Sequence, residues 1–263
     1  MKHDLKVTIL LIIMFLIAQF IGLLILRPYV AAAPEELPYN IERPEFEEST
    51  AFIPIFIIIL AATIFALLLA KMEATWVWKA WFFISVIFTM SIALSSFIQQ
   101  YIAMGIAIVL AIFKVFKRNL LIHNITELFI YGGLAAVLVP ILGIFSISIL
   151  LLIISLYDYI AVRKTGHMIK LAKFQAKLKI FAGLLIPYGK NKEAILGGGD
   201  IGFPLIFAGV AMKTLGPKAL IIPLFAAAAL TFLFVKAEKK KFYPAMPVLT
   251  LGCFVGYLVA YLL

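Results

Sequence analysis

Apolar runs long enough to cross a lipid bilayer, each closed by a short charged cluster, recur from one end of the chain to the other. A hydrocarbon core about 30 Å thick is crossed by about 20 apolar residues of helix. Segmenting at the charged clusters gives nine such runs, near residues 7–26, 51–70, 76–98, 101–116, 124–142, 144–162, 194–212, 218–235 and 244–262. The sequence therefore predicts an all-α polytopic membrane protein, a bundle of nine transmembrane helices. Eight is the rival count, because Lys114, Lys117 and Arg118 crowd the gap between the fourth and fifth runs. With 65% hydrophobic and 14% charged residues over 263 positions, the chain cannot be a water-soluble globule. It divides into a six-helix part at 1–162, a basic amphipathic loop at 163–193, and a three-helix part at 194–263.

Cytoplasmic loops retain an excess of Lys and Arg, so alternate loops report orientation. With the amino terminus inside, the inner face receives Lys2, Lys6, Lys71, Lys79, Lys114, Lys117, Arg118, the eight basic residues from Arg163 to Lys192, and Lys236, Lys239, Lys240 and Lys241. Only Arg27, Arg43, Lys213 and Lys218 remain outside, which predicts a cytoplasmic amino terminus and an external carboxyl terminus. The net charge of +10 thus belongs to inner loops that meet membrane lipid, and the absence of an unbroken basic face argues against nucleic acid. The first outer loop, with Glu35, Glu36, Glu42, Glu45, Glu47 and Glu48, reads as a solvated cap, since its spacing matches no calcium loop. Between residues 163 and 193, Lys170, Lys173 and Lys177 stand opposite Leu171, Phe174, Leu178 and Phe181, a helical amphipathic period that suits the lipid headgroups, with gating the alternative. Asn124-Ile125-Thr126 spells a glycosylation sequon, but on the inner face, and is read as chance.

No cofactor or metal is expected. Cys253 is the only cysteine, which excludes internal disulfides and cysteine-built zinc sites, and His3, His123 and His167 are scattered as loop or interface residues would be. Among the thirteen acidic residues, eleven are assigned to loops or span ends, whereas Asp158 and Asp200 lie inside apolar segments. A charged Asp at the bilayer centre costs about 2.5–3.5 kcal/mol, so both should face protein or a water-filled cavity. Asp158 precedes Arg163 by five residues and Asp200 follows Glu193 by seven. At about 1.5 Å per helical residue, these offsets place the carboxylates at similar depth on antiparallel neighbours. Close carboxylates in a low-dielectric site cannot both ionise cheaply, so one holds a proton while the other is charged, a pair fit for general acid–base work. Spacing alone leaves a proton or cation relay open equally. Gly197-Gly198-Gly199 should loosen the start of the seventh span and let another chain approach Asp200, or serve close helix packing. Pro244-Ala245-Met246-Pro247 opens the ninth, as irregular backbone or as a plain helix start.

Tyr157-Asp158, Gly197-Gly198-Gly199-Asp200 and Pro244-Ala245-Met246 together resemble the presenilin and signal peptide peptidase family of intramembrane aspartyl proteases, whose pattern is Y-D, G-x-G-D and P-A-L in this order. Met246 replaces the family leucine, a volume-conserving change. The resemblance spans essentially the whole chain. It implies a protease that hydrolyses peptide bonds within transmembrane helices, with Asp158 and Asp200 as the catalytic pair. It implies an extended substrate strand flanked by the three glycines and by Pro244, Ala245 and Met246, with Tyr157 positioning its neighbour or sitting in an aromatic belt. A cytoplasmic amino terminus is similar to presenilin and opposite to signal peptide peptidases, which implies single-pass substrates with external amino termini. The compact length is similar to microbial and archaeal homologues, which implies a stand-alone enzyme in the plasma membrane of a microbe.

Overall fold

A computed structural model of the chain describes residues 4–31, 36–117, 119–166, 171, 174–175, 178, 180–188, 192–238 and 243–263. Among these, the helices are α1 (Leu5–Ala31), α2 (Phe52–Lys71), α3 (Thr75–Leu94), α4 (Gln100–Phe116), α5 (Leu120–Leu138), α6 (Ile144–Ile160), α7 (Gly198–Leu215), α8 (Ile222–Lys236) and α9 (Met246–Leu262). By length and composition six helical stretches could cross a membrane, and two shorter apolar helices, α4 and α9, bring the number to eight. This count falls short of the expected nine because Gly198–Lys236 forms one stretch, in which a 3-10 turn at Gly216–Ile221 joins α7 to α8.

Helix α1 is the hub, packed against α5, α7 and α8, while α9 lies along α8 and α6. The bundle closes tightly because small residues occupy the crossings, the device that membrane helices use where lipid supplies no hydrophobic contrast. A methyl group added at Gly133 of α5 would lie 1.9 Å from the carbonyl oxygen of Thr89 in α3, and one at Gly132 would lie 3.2 Å from the Cα of Gly22 in α1. Gly252 and Gly256 bring α9 equally close to α8. By contrast α2 buries little beyond Ile55, Ala66 and Leu69 and stands at the periphery.

Two antiparallel hairpins interrupt the all-α expectation. β1 (Glu36–Leu37) pairs with β2 (Ile41–Glu42) in the loop between α1 and α2. β3 (Gly183–Tyr188) pairs with β4 (Lys192–Gly197), with Gly183 opposite Gly197. The second hairpin corrects two expectations: the seventh helix begins at Gly198 rather than near 194, and the depth of Asp200 cannot be counted as helical rise from Glu193, which lies in a strand. Side chains explain the hairpin's seat. The Asn124 amide makes both hydrogen bonds of a missing strand to the backbone of Leu185, at 2.7 and 3.0 Å. Asn124 is therefore engaged inside the protein, in keeping with reading the sequon as chance. In the 163–193 segment, Lys170, Lys173 and Lys177 lie outside the described residues. Its apolar residues Leu171, Phe174 and Leu178 are partly buried against Ala66, Leu69 and Trp78, at the ends of α2 and α3.

Candidate active site

Asp158 occupies the last turn of α6 and is 7% exposed. Its Oδ2 accepts the backbone N–H of Met246 at 3.1 Å. Met246 is the first residue of α9, so that N–H is one of the four a helix cannot satisfy internally, and the carboxylate sits at the positive end of the helix dipole. The hydroxyls of Ser155 and Thr250, 2.7 Å apart, fasten the same two helices nearby. Pro247 falls in the first turn of α9, where a missing N–H costs nothing, so the plain helix start holds there. Met246 is not left with a free backbone donor for a passing strand, because Asp158 takes it.

Asp200 is the third residue of α7 and is half-buried. It therefore also lies in a helix first turn, directly after β4. The glycines before it do not loosen the helix: Gly198 and Gly199 are helical, and Gly198 donates its N–H to Ala182 at 3.1 Å. Their use is space. An added Cβ would stand 3.3 Å from Asp200 Oδ2 at Gly197 and 2.8 Å from the Tyr131 hydroxyl at Gly198. One turn on, Pro204 has no N–H to give the Asp200 carbonyl, and buried Gln19 of α1 donates to the neighbouring Ile201 carbonyl at 2.8 Å.

Asp200 itself lines a small cavity between β4, α8 and the residues before α9, whose other walls include Leu196, Leu230, Phe234, Tyr243 and Ala245. The Arg163 guanidinium lies 5.6 Å over the Tyr243 ring, tying the end of α6 to the same rim. The two carboxylates thus approach one short segment from two sides: Asp158 bonds Met246, and Asp200 shares a cavity wall with Ala245. Of the residues singled out in the sequence, Ala245 shares this cavity, Met246 bonds Asp158 and Gly197 abuts Asp200, whereas Gly198 faces the Tyr131 hydroxyl and Gly199 the Phe203 ring. Tyr157 is turned toward α2, where it shares a hydrogen bond with Thr63.

A second polar cluster escaped the sequence reading, which assigned Lys114 to an inner loop, Glu127 to a span end and His123 to a loop or interface. Lys114 on α4 and Glu127 on α5 form an ion pair at 2.6 Å with both side chains 1% exposed. Lys114 also donates to Thr126 at 3.0 Å and lies 3.2 Å from His123 Nδ1, while Tyr131 donates its hydroxyl to Glu127 Oε2. The available signal was spacing: His123, Glu127 and Tyr131 recur every fourth residue, on one face of α5.

Comparison with known proteins bears on this arrangement. The family profile described as "Signal-peptide peptidase, presenilin aspartyl protease" matches residues 12–263. No curated protein sequence matches significantly. Among solved structures, a presenilin family intramembrane aspartate protease in space group C222 superposes with a TM-score of 0.69 at 20% identity, over 97% of this chain and 98% of that one. A presenilin family intramembrane aspartate protease in space group P2 gives 0.67 at 21%, over 96% of each. At such identities the structures speak for the shared fold, and the profile speaks for descent. The chain belongs to the signal-peptide peptidase and presenilin aspartyl protease family, whose activity is that of an aspartic-type intramembrane endopeptidase.

Proposed function

We propose that this chain hydrolyses peptide bonds of single-pass transmembrane helices with Asp158 and Asp200 as its catalytic pair. The observation that supports the reading is that both carboxylates border the start of α9: Asp158 accepts the Met246 N–H, and Asp200 lines a cavity together with Ala245. With one proton between them, the charged member takes a proton from water as it attacks the scissile carbonyl. The protonated member donates to the carbonyl oxygen as the tetrahedral intermediate forms. Collapse of that intermediate sends a proton to the leaving amine and returns the pair to its starting charge.

Gly197 and Gly199 keep the edge beside Asp200 free of side chains, and Leu196, Leu230, Phe234 and Ala245 offer an apolar surface for a substrate side chain. Ala245 bounds that surface on the α9 side, with Pro244 before it in the chain. Strand β4 leads straight into α7, so an unwound substrate can add to it as a further strand. Tyr157 holds α6 against α2 rather than touching substrate. We further infer nine membrane crossings, with α7 and α8 as separate spans, and a cytoplasmic amino terminus, from the distribution of Lys and Arg. Substrates then present their amino termini outside. Family membership removes the ground for the ion-relay alternative.

The test is inhibition of cleavage of a detergent-solubilised transmembrane substrate. A peptide mimic carrying a hydroxyl at the tetrahedral carbon inhibits and a chelator does not. Turnover that stops with chelator and ignores the mimic would overturn the paired-carboxylate chemistry.

A further inference from the structure

The buried ion pair of Lys114 and Glu127 joins α4 to α5, and its contacts lead to both ends of the glycine segment that carries Asp200. Taking two charges out of water is costly, and a buried pair seldom repays that cost in stability alone. Its polar partners have definite roles. Glu127 Oε1 accepts from Lys114, so Oε2 is left for the Tyr131 hydroxyl. Tyr131 has a single hydroxyl hydrogen, and it is committed to Glu127. The oxygen then faces Gly198, where an added Cβ would stand 2.8 Å away. Along the ring, a Cβ on Gly202 would lie 3.7 Å from Cδ1. The Tyr131 side chain thus spans Gly198 to Gly202, the turn that contains Asp200, and Asp200 acts on Tyr131 electrostatically.

The other output runs through His123. Its Nε2 pairs with the carbonyl of Gly183 at 2.8 Å, so Nε2 carries the proton and Nδ1 is left to accept from Lys114. Gly183 is the cross-strand partner of Gly197, and its neighbour Ala182 accepts the N–H of Gly198. One ion pair therefore grips the start of the glycine segment through the hairpin and its end through the tyrosine.

We propose that Tyr131, locked by Glu127 and Lys114, is a positioning residue that fixes the turn of Asp200. This chain has glycine at the position between Gly197 and Gly199 because the tyrosine hydroxyl occupies the room a side chain would need. The proposal rests on Asp158 and Asp200 being the catalytic pair. Loss of the hydroxyl lets the first turn of α7 shift against α5, which misaligns Asp200 with the scissile bond while the substrate surface is retained. The defect is therefore in kcat, not KM.

The experiment uses the full chain purified in detergent with a transmembrane peptide substrate. Tyr131→Phe lowers kcat by about tenfold or more with KM unchanged, since sub-ångström misplacement of a reacting group has effects of this order. The pair replacement Lys114→Met with Glu127→Leu removes both charges together and keeps the protein folded, and it lowers kcat in the same way. Wild-type kcat in both proteins would overturn the brace, as would losses that appear only in KM. Asp158→Asn and Asp200→Asn in the same assay keep the two levels apart. If both are inactive while the brace variants are normal, only the brace fails, whereas an active Asn variant removes the catalytic assignment beneath it.

Discussion

Breaking the Lys114–Glu127 pair one partner at a time should cost far more than removing it whole. Lys114→Met leaves a carboxylate in a site where its side chain is 1% exposed, with the Tyr131 hydroxyl as its remaining donor. Glu127→Leu leaves an ammonium with Thr126 and His123 but without the carboxylate that lay 2.6 Å away. Uncompensated buried charges of this kind cost about 3–5 kcal/mol each. In the double variant neither charge remains, and the residual penalty is the Tyr131 hydroxyl without its acceptor, about 1–3 kcal/mol. The double-mutant cycle should therefore return a coupling of about 3 kcal/mol or more. For a chain of this size each kcal/mol moves the midpoint by about 2–4 °C, so either single variant unfolds roughly 6–20 °C early. Thermal unfolding of the detergent-solubilised protein, followed by intrinsic tryptophan fluorescence, reads this out. Additive single variants, with the double as unstable as their sum, would refute the reasoning and show that the charges are solvated rather than buried.

Gly133→Ala pushes a methyl group into the Thr89 carbonyl, 1.9 Å away, and should destabilise by about 3 kcal/mol in the same melt, whereas Gly105→Ala, with nothing within 4 Å, should be neutral or gain up to about 1 kcal/mol. Ser155→Ala leaves the Thr250 hydroxyl buried without its 2.7 Å partner and should cost about 1–2 kcal/mol. At the end of α7, Lys213 donates to Glu48 at 2.7 Å and to the carbonyls of Pro140 and Leu142 at 3.2 and 3.1 Å. Because the Glu48 side chain is 61% exposed, Glu48→Gln should change stability by less than about 1 kcal/mol, and Lys213→Met should cost more.

Helix positions were legible because a lipid-facing helix must be apolar over its whole crossing. The expected span at 51–70 is α2 within a residue, and the one at 144–162 is α6 with the short π-helical turn Ala161–Thr165 that continues it. The hairpin before α7 was not legible. Leu184, Leu185 and Ile186 are buried in succession, so β3 shows no alternation, and β4 reads as the first apolar turn of the next helix. Asp158 and Asp200 stood out because carboxylates within apolar runs demand a reason. The segment Pro244 to Met246 stood out as well, but the bond that ties it to Asp158 did not, because the donor is the backbone N–H of Met246, and a backbone donor leaves no mark in a side-chain pattern. Lys114 and Glu127 escaped for another reason. A charge near a span end reads as one that reaches for the headgroups, and only the packing of α4 on α5 encloses it.

The central claim is that Asp158 and Asp200 act as one catalytic unit. Its most direct test is the rate at which purified Asp158→Asn and Asp200→Asn cleave a transmembrane peptide, with thermal unfolding measured on the same samples. Each variant should fold and neither should produce fragments above background. Cleavage near the wild-type rate by either one would contradict the account.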